Sequence, residues 1–276
     1  MPISATELAR GVSQLVSLPD VCLQVNQMAE DETCSAEDMA RVVQRDPALT
    51  SQLLRIANSA YYGLTAKVET VTRAITIIGN RELRDLVLAT SVINNFATLA
   101  GDRAFLEAYW RHSVRVGCIA RTLAQGAATR VLHSERLFVA GLLHDIGRLV
   151  MAVRIPELLR VMVALSRSKR IPMREAERLV FDLDHGEVGA ALLADWELPE
   201  VMVEAAAWHH EPERAEAFPM EVALVHVADA LAHDRVDEVQ EGCWALLGMD
   251  ARRARRLVRD GESKAEAMSG GLLSRG

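Results

Sequence analysis

The chain has 276 residues, of which 50% are hydrophobic but only 4% aromatic, so it is long enough to bury a core and its composition favours helices. Its net charge is -7 with acidic and basic residues interspersed, which argues against a nucleic-acid-binding surface over the whole molecule. Four widely separated cysteines, Cys22, Cys34, Cys118 and Cys243, form no CxxC pair, which argues against a zinc ribbon or a disulfide framework.

The chain start predicts a cytoplasmic protein. The segment MPISATELARGVSQLV is amphipathic with a charged pair in its middle, unlike a secretory signal. The longest uncharged stretch, from Leu86 to Gly101, contains two asparagines and is too short to span a bilayer. We therefore expect no membrane association.

The first hundred residues predict a helical subdomain. Helix starts are expected at Ser35 with Asp38, at Asp46-Pro47, at Thr70 and at Asn80, with Gly79 ending the helix that Thr70 begins. Asn58, Ser59 and Tyr61 follow the second of these helices, and we interpret them as a helix-ending turn rather than as a ligand groove.

A second helical unit is predicted over residues 101–247, beginning at Gly101-Asp102. His112 shares an apolar helix face with Tyr109 and Val116. Further helix starts are expected at Ser134, for a helix running to Gly147, at Pro156, at Pro172, at Asp184 with Glu187, at Pro199 and at Pro219. The fold class that follows is all-α.

Residues 248–276 form a tail of different character, with the run ARRARRLVR before a Ser/Gly-rich end that we expect to fray. The arginines could form a nucleic-acid or membrane patch. A short amphipathic helix with arginines on its solvated face is the favoured interpretation.

The stretch AGLLHDIGRL carries the sharpest chemical signal, because His144 and Asp145 are adjacent at the end of an apolar helix. A carboxylate that is buried there needs a hydrogen bond, a salt bridge or a cation. A His-Asp dipeptide is common by chance, however, so the pair alone does not establish a site.

Five other residues strengthen the hypothesis that His144 and Asp145 belong to one shared site, although each of the five has an ordinary structural explanation. His112 could be a satisfied core histidine, His185 an N-terminal helix residue, and His209-His210 a cap on a helix dipole. Asp229 lies in the apolar pattern of Val222 and Val225, where an unpaired carboxylate is costly. One bound cation would explain them all, and mixed imidazole and carboxylate donors favour Fe, Mn, Zn or Ni.

The order His112, His144-Asp145, Asp229 resembles the ligand set of the HD phosphohydrolase superfamily, and His185 with His209-His210 resembles the extra ligands of its two-metal members, including the HD-GYP phosphodiesterases. The stretches RDPALTSQLLRIANSAYYG, AITIIGNRELRDLVL and DHGEVGAALLADWELPEVMVEAAAWHHEP are similar to the HDOD (HD-related output domain) family. The resemblance implies an HD-like helical bundle preceded by a smaller helical subdomain, with one or two divalent transition metals.

HDOD proteins are generally regulatory, so the resemblance implies a signalling module that acts through a protein partner or a bound nucleotide. The alternative is a metal-dependent phosphohydrolase, in which Asp145 bridges two metals and Arg148 contacts phosphate. Glu211-Pro212-Glu213-Arg214 replaces the glycine-tyrosine-proline loop of HD-GYP enzymes, which weakens a cyclic dinucleotide hydrolase assignment. A structural or nucleic-acid-associated scaffold, with contacts at Arg252 to Arg259, is the least favoured interpretation.

Overall fold

The computed structural model describes residues 3–14, 19–31, 33–59, 62, 64, 67–99, 103–127 and 136–273. Within these ranges the regular structure is helical and no strand occurs, as the composition predicts. None of the helices in the described ranges combines the length and the apolar character that a bilayer span requires.

The described residues of the first part of the chain form six α-helices, and the last four of them start at the predicted positions. They are α1 (Ala5–Ser13), α2 (Asp20–Glu30), α3 (Ala36–Val43), α4 (Pro47–Ala57), α5 (Val71–Ile78) and α6 (Asn80–Leu99). Ser35 and Asp38 form a capping box, and the Asp46 side chain accepts hydrogen bonds from the backbone of α4. Asn58 binds the backbone of Leu54 and Val68, which confirms its structural interpretation, while Tyr61 lies outside the described residues.

The described residues from 103 onwards form ten α-helices. They are α7 (Arg103–Gly126), α8 (Leu137–Leu143), α9 (Ile146–Arg154), α10 (Pro156–Lys169), α11 (Met173–Phe181), α12 (His185–Asp195), α13 (Glu200–Trp208), α14 (Pro219–Ala232), α15 (Glu241–Leu247) and α16 (Ala251–Leu273). The predicted boundary at Gly101-Asp102 and the predicted cap Ser134 lie outside the described residues.

Two elements differ from the sequence-based predictions. The helix expected to run to Gly147 ends at Leu143, and α9 starts at Ile146, because His144 and Asp145 form a turn between them. Where fraying was expected after residue 248, α16 instead buries Ala254, Val258 and Ala265. Its residues Arg252, Arg255, Arg256 and Arg259 are exposed, as the amphipathic interpretation predicts.

The packing brings distant helices to one centre. Helices α2 to α6 pack against one another, whereas α1 packs against α9 and α12. Helix α7 packs against α8, α14 and α16. A side chain at Gly141 of α8 would lie 2.7 Å from the Cα atom of Gly117 in α7, so glycine at both positions lets these helices touch. This close crossing brings His112 of α7 towards His144 at the end of α8.

Candidate metal centre

All seven predicted ligands converge on one buried place between helices. His112 comes from α7, His144 and Asp145 from the turn between α8 and α9, His185 from the first residue of α12, His209 and His210 from the end of α13, and Asp229 from α14. His144, His185 and His209 are at most 1% exposed, as is Asp145. Residues that are far apart in sequence thus form a single cluster of nitrogen and oxygen donors.

Asp145 lies between two groups of imidazoles. Its Oδ2 atom is 3.6 Å from His144 Nε2 and 3.9 Å from His112 Nε2, while its Oδ1 atom is 3.0 Å from His185 Nε2 and 3.6 Å from His209 Nε2. We define the first position as the space between Asp145, His112, His144 and Asp229. The second position is the space between Asp145, His185, His209 and His210.

Each position has donor atoms close enough to share one cation. In the first position, Asp229 Oδ1 lies 3.1 Å from His112 Nε2 and 3.8 Å from His144 Nε2. In the second position, His185 Nε2 lies 3.3 Å from His209 Nε2 and 3.0 Å from His210 Nε2. The donors of His112, His144 and Asp229 lie within 4.8 Å of one another, as do those of His185, His209 and His210. The same holds for His144, Asp145 and His209, which connect the two positions.

The hydrogen bonds made by the rings of His144 and His209 indicate which ring nitrogens present a lone pair to the centre. Nδ1 of His144 donates to the carbonyl oxygen of Gly141 at 2.7 Å, and Nδ1 of His209 donates to that of Ala206 at 2.9 Å. A neutral ring that carries its proton on Nδ1 has only an acceptor at Nε2. His144 Nε2 is buried, makes no hydrogen bond of good geometry with any residue described, and lies 3.6 Å from Asp145 Oδ2. Acceptors that face one another without a donor fit a cation between them.

The electrostatics keep both carboxylates charged. Burial opposes their ionisation, but Arg148, His144 and His185 hold the pKa of Asp145 well below its ordinary range. Asp229, which is also buried, has its pKa lowered mainly by His112 and His144. Two ionised carboxylates among imidazoles make the centre attractive to a divalent cation.

The pKa values of two histidines of the second position, His185 and His209, are shifted in opposite directions. Burial, reinforced by His144 and His185, lowers the pKa of His209 to about 3, so its ring is neutral. Burial also opposes the charge on His185, but Glu177 and Asp145 outweigh it and raise the pKa of His185 to about 9. In the metal-free protein a proton on His185 therefore supplies the positive charge that a cation would replace.

The centre opens into a cavity of about 860 Å³. Arg148, Arg174, Arg178, Arg235, His210 and Asp229 are among its lining residues. Arg148, the predicted phosphate contact, binds Asp145 Oδ2 through its Nη1 atom at 2.9 Å and keeps 26% of its side chain exposed. A ligand in the cavity could therefore meet both the guanidinium group and the donor cluster.

Three residues at the centre were missed by the sequence reasoning. Glu177 of α11 is fully buried against His185. His226 donates from Nδ1 to the carbonyl oxygen of His209 at 2.7 Å, and the His233 ring stacks on His112 with centroids 4.4 Å apart. The last two lie three residues before and four residues after Asp229, so helical spacing could have indicated them.

Comparison with known proteins gives the family of the chain. A model of the HDOD domain matches residues 15–212, which is most of the chain. The chain belongs to the HDOD family. The matched range contains six of the seven candidate ligands, and Asp229 lies beyond it.

Solved HDOD-type structures share the fold. An HDOD domain protein of unknown function from Geobacter sulfurreducens has a TM-score of 0.81 at 23% identity, covering 98% of this chain and 99% of that one. A candidate phosphohydrolase from Shewanella amazonensis SB2B has a TM-score of 0.75 at 24% identity, over 96% and 98% of the two chains. A candidate signal transduction protein from Marinobacter aquaeolei VT8 has a TM-score of 0.75 at 21% identity, over 96% and 61%.

One curated relative matches at the level of sequence. It is an uncharacterised protein from Treponema pallidum, 26% identical over 226 residues, which are 82% of this chain. The chain spans 43% of the length of that relative. The match therefore adds no activity to the family assignment.

Proposed function

We propose that this HDOD protein is a regulatory output module of signal transduction, built around a transition-metal centre, which acts through a protein partner or a bound ligand such as a nucleotide. The observation that carries the proposal is the position of Asp145, whose two oxygens face two separate groups of imidazoles. A bound metal in such a bundle would contribute folding free energy only when the centre is loaded. A partner could then respond to the loaded state.

The donor set favours one class of metal. Five imidazoles and two carboxylates suit Fe, Mn, Zn or Ni better than Ca or Mg, which prefer oxygen ligands. Both positions share Asp145, so occupancy of one or two metals is consistent with the same set of residues.

The first test is elemental analysis of protein purified without chelator, together with the variants Asp145→Asn and His144→Ala/Asp145→Ala. We expect about one or two metal equivalents in the parent and a loss in both variants. Asp182→Asn is the matched control, because Asp182 is exposed and has the left-handed backbone that asparagine tolerates. Absence of metal from the parent, even after loading with iron, manganese or zinc, would refute the metal-centre proposal.

The second candidate function is a metal-dependent phosphohydrolase of the HD superfamily. The open cavity beside the donor cluster favours it, because Arg148 lines this cavity and can contact a phosphate there. Bound divalent cations of this class supply a nucleophile at neutral pH and neutralise phosphoryl charge.

The two candidate functions differ in whether the protein turns over a substrate. Metal-loaded parent protein would be incubated with a nitrophenyl phosphodiester, nucleotides and cyclic dinucleotides, with Asp145→Asn as the inactive reference. Hydrolysis that depends on Asp145 would favour the phosphohydrolase. Tight binding of one of these compounds without turnover would favour the regulatory module.

A further inference from the structure

We propose that Glu177, on α11, is the positioning residue of the second metal position, because it fixes the His185 ring through a buried carboxylate. The inference rests on the metal centre proposed above and adds a residue to it. Glu177 does not face the centre itself, so it would act on a metal only through His185.

The contacts of Glu177 are directed at one residue. Its Oε2 atom accepts a hydrogen bond from the backbone N–H of His185 at 3.0 Å and another from His185 Nδ1 at 2.6 Å. Its other oxygen, Oε1, is buried and makes no hydrogen bond with the residues that the structure describes. Burying a carboxylate completely costs free energy. The hydrogen bonds described above that offset this cost are both made with His185.

This geometry determines where the other ring nitrogen points. Because Nδ1 donates to Glu177, the Nε2 atom is directed to Asp145 Oδ1 at 3.0 Å and to His210 Nε2 at 3.0 Å. His185 is also the first residue of α12, so its backbone N–H has no partner within that helix. One carboxylate oxygen thus fixes both the backbone and the ring of the ligand.

His185 differs in this respect from two neighbouring candidate ligands. His144 and His209 donate from Nδ1 to neutral backbone carbonyls of their own helices, three residues earlier in the chain. His185 instead donates to a charged group on a different helix. A carboxylate behind a ligand histidine strengthens the ligand, and removing such a partner typically lowers metal affinity by about 10- to 100-fold.

The test separates the two positions with two background variants. His112→Ala removes a ligand of the first position, so zinc that remains reports on the second. His210→Ala removes a ligand of the second position, so zinc that remains reports on the first. Glu177→Gln is then introduced into each background, since glutamine keeps the shape of the side chain and removes its charge.

Zinc affinity would be measured by competition with a chelator, using folded, metal-free protein checked by circular dichroism. We expect Glu177→Gln to weaken zinc binding about tenfold or more in the His112→Ala background and to leave it unchanged in the His210→Ala background. Glu175→Gln is the control, because Glu175 is an exposed residue of the same helix and the charge change is equal. It should change neither affinity.

A nuclear magnetic resonance measurement supplies a second readout. In zinc-loaded parent protein labelled with ¹⁵N-histidine, the His185 Nδ1 proton should be protected and strongly hydrogen-bonded, and Glu177→Gln should weaken that bond. Equal loss of zinc in both backgrounds, or loss in neither, would overturn the inference. If the parent bound neither zinc nor iron nor manganese, both this inference and the metal-centre proposal would fail, which distinguishes the two failures.

Discussion

Arg148 lies between the buried carboxylate of Asp145 and the open cavity, so its guanidinium group is placed for two tasks. Its Nη1 atom binds Asp145 Oδ2 at 2.9 Å, and about a quarter of its side chain is exposed. Removing the arginine would leave a buried carboxylate with less positive charge near it, and would take a bidentate donor from the cavity.

We predict that Arg148→Ala weakens the binding of inorganic phosphate to zinc-loaded protein by about 10- to 100-fold, as expected for the loss of a charge-assisted hydrogen bond. Arg148→Lys should have an intermediate effect, because lysine keeps the charge but lacks the planar pair of donors. Isothermal titration with phosphate would measure both. Unchanged affinity in Arg148→Ala would show that phosphate does not use this residue.

At this scale the sequence indicated the candidate ligands that converge, but not the residues that support them. The seven candidate residues could be predicted because histidines and aspartates at inward positions are costly unless they share a purpose. Glu177 could not be predicted, since an acidic residue eight positions before His185 looks like an exposed helix residue. Its burial follows from how α11 packs, which no local pattern reveals.

Close contact between α9 and α12 depends on Gly147, two residues after Asp145. A Cβ atom at Gly147 would lie 1.9 Å from the backbone oxygen of His185. Backbone cannot move aside as a flexible side chain can, so any side chain here must push the two helices apart. His185 would then move away from Asp145.

We predict that Gly147→Ala destabilises the metal-free protein by about 3 kcal/mol, at the upper end of overpacking costs, and weakens zinc binding as well. Gly242→Ala is the control, because nothing lies within 4 Å of the added Cβ atom in α15. Alanine there should be neutral or slightly stabilising. Urea unfolding would measure both variants, and equal midpoints would contradict the close-contact argument.

The start of α12 has an electrostatic support of its own. The Asp184 side chain accepts from the backbone of Glu187 and from Nε of both Arg174 and Arg178, at 2.8 and 2.9 Å. Burial opposes its charge, but Arg174 and the backbone outweigh it and lower the pKa of Asp184 to about 2. The depressed pKa means that this carboxylate stabilises the folded state only while it is ionised.

The sign of the pH dependence follows from that shift. The contribution of Asp184 should be complete above about pH 4, near its ordinary pKa, and should be lost as the pH falls towards 2. We predict that Asp184→Asn, which can still cap α12, is less stable than the parent at pH 6 and that the difference shrinks by pH 2.5. Urea unfolding in chelator across this range would measure it, and a constant difference would contradict the prediction.

Helix starts were the most predictable elements, because caps at Ser35, Asp46, Thr70 and Asp184 are local hydrogen bonds. The break between α8 and α9 was missed. The apolar pattern continues through it, and the turn that places His144 and Asp145 at the centre has no proline or cap to indicate it.

The arrangement of the whole molecule depends on contacts that no sequence pattern specifies. Helix α1 packs against α9 and α12, the helices that carry Gly147 and His185, although it is far from both in sequence. The pair α10 and α11 pack mainly against each other, with a smaller contact to α9. Leu159 and Phe181 of this hairpin pack on the core, and α11 adds polar contacts to the centre.

Those contacts connect the hairpin to the second metal position. Glu177 accepts a hydrogen bond from the His185 ring. The Nη2 atom of Arg174 binds Glu211 Oε1 at 2.8 Å, next to His210 in the chain. A cation that fixes His185 and His210 would fix the partners of α11 as well. Metal loading should thus reduce local opening of the hairpin, which is the kind of change that a partner protein can sense.

We predict that zinc slows amide hydrogen exchange in α11 by about tenfold or more under native conditions, while α3, in the helices remote from the centre, changes little. Mass spectrometry of exchanging protein, with and without zinc, would measure both segments. Glu177→Gln should remove most of the protection in α11, because the hairpin then loses its charged contact with His185. Equal protection of α3 and α11 would indicate global stabilisation by bound metal, and the hairpin would then have no special coupling to the centre.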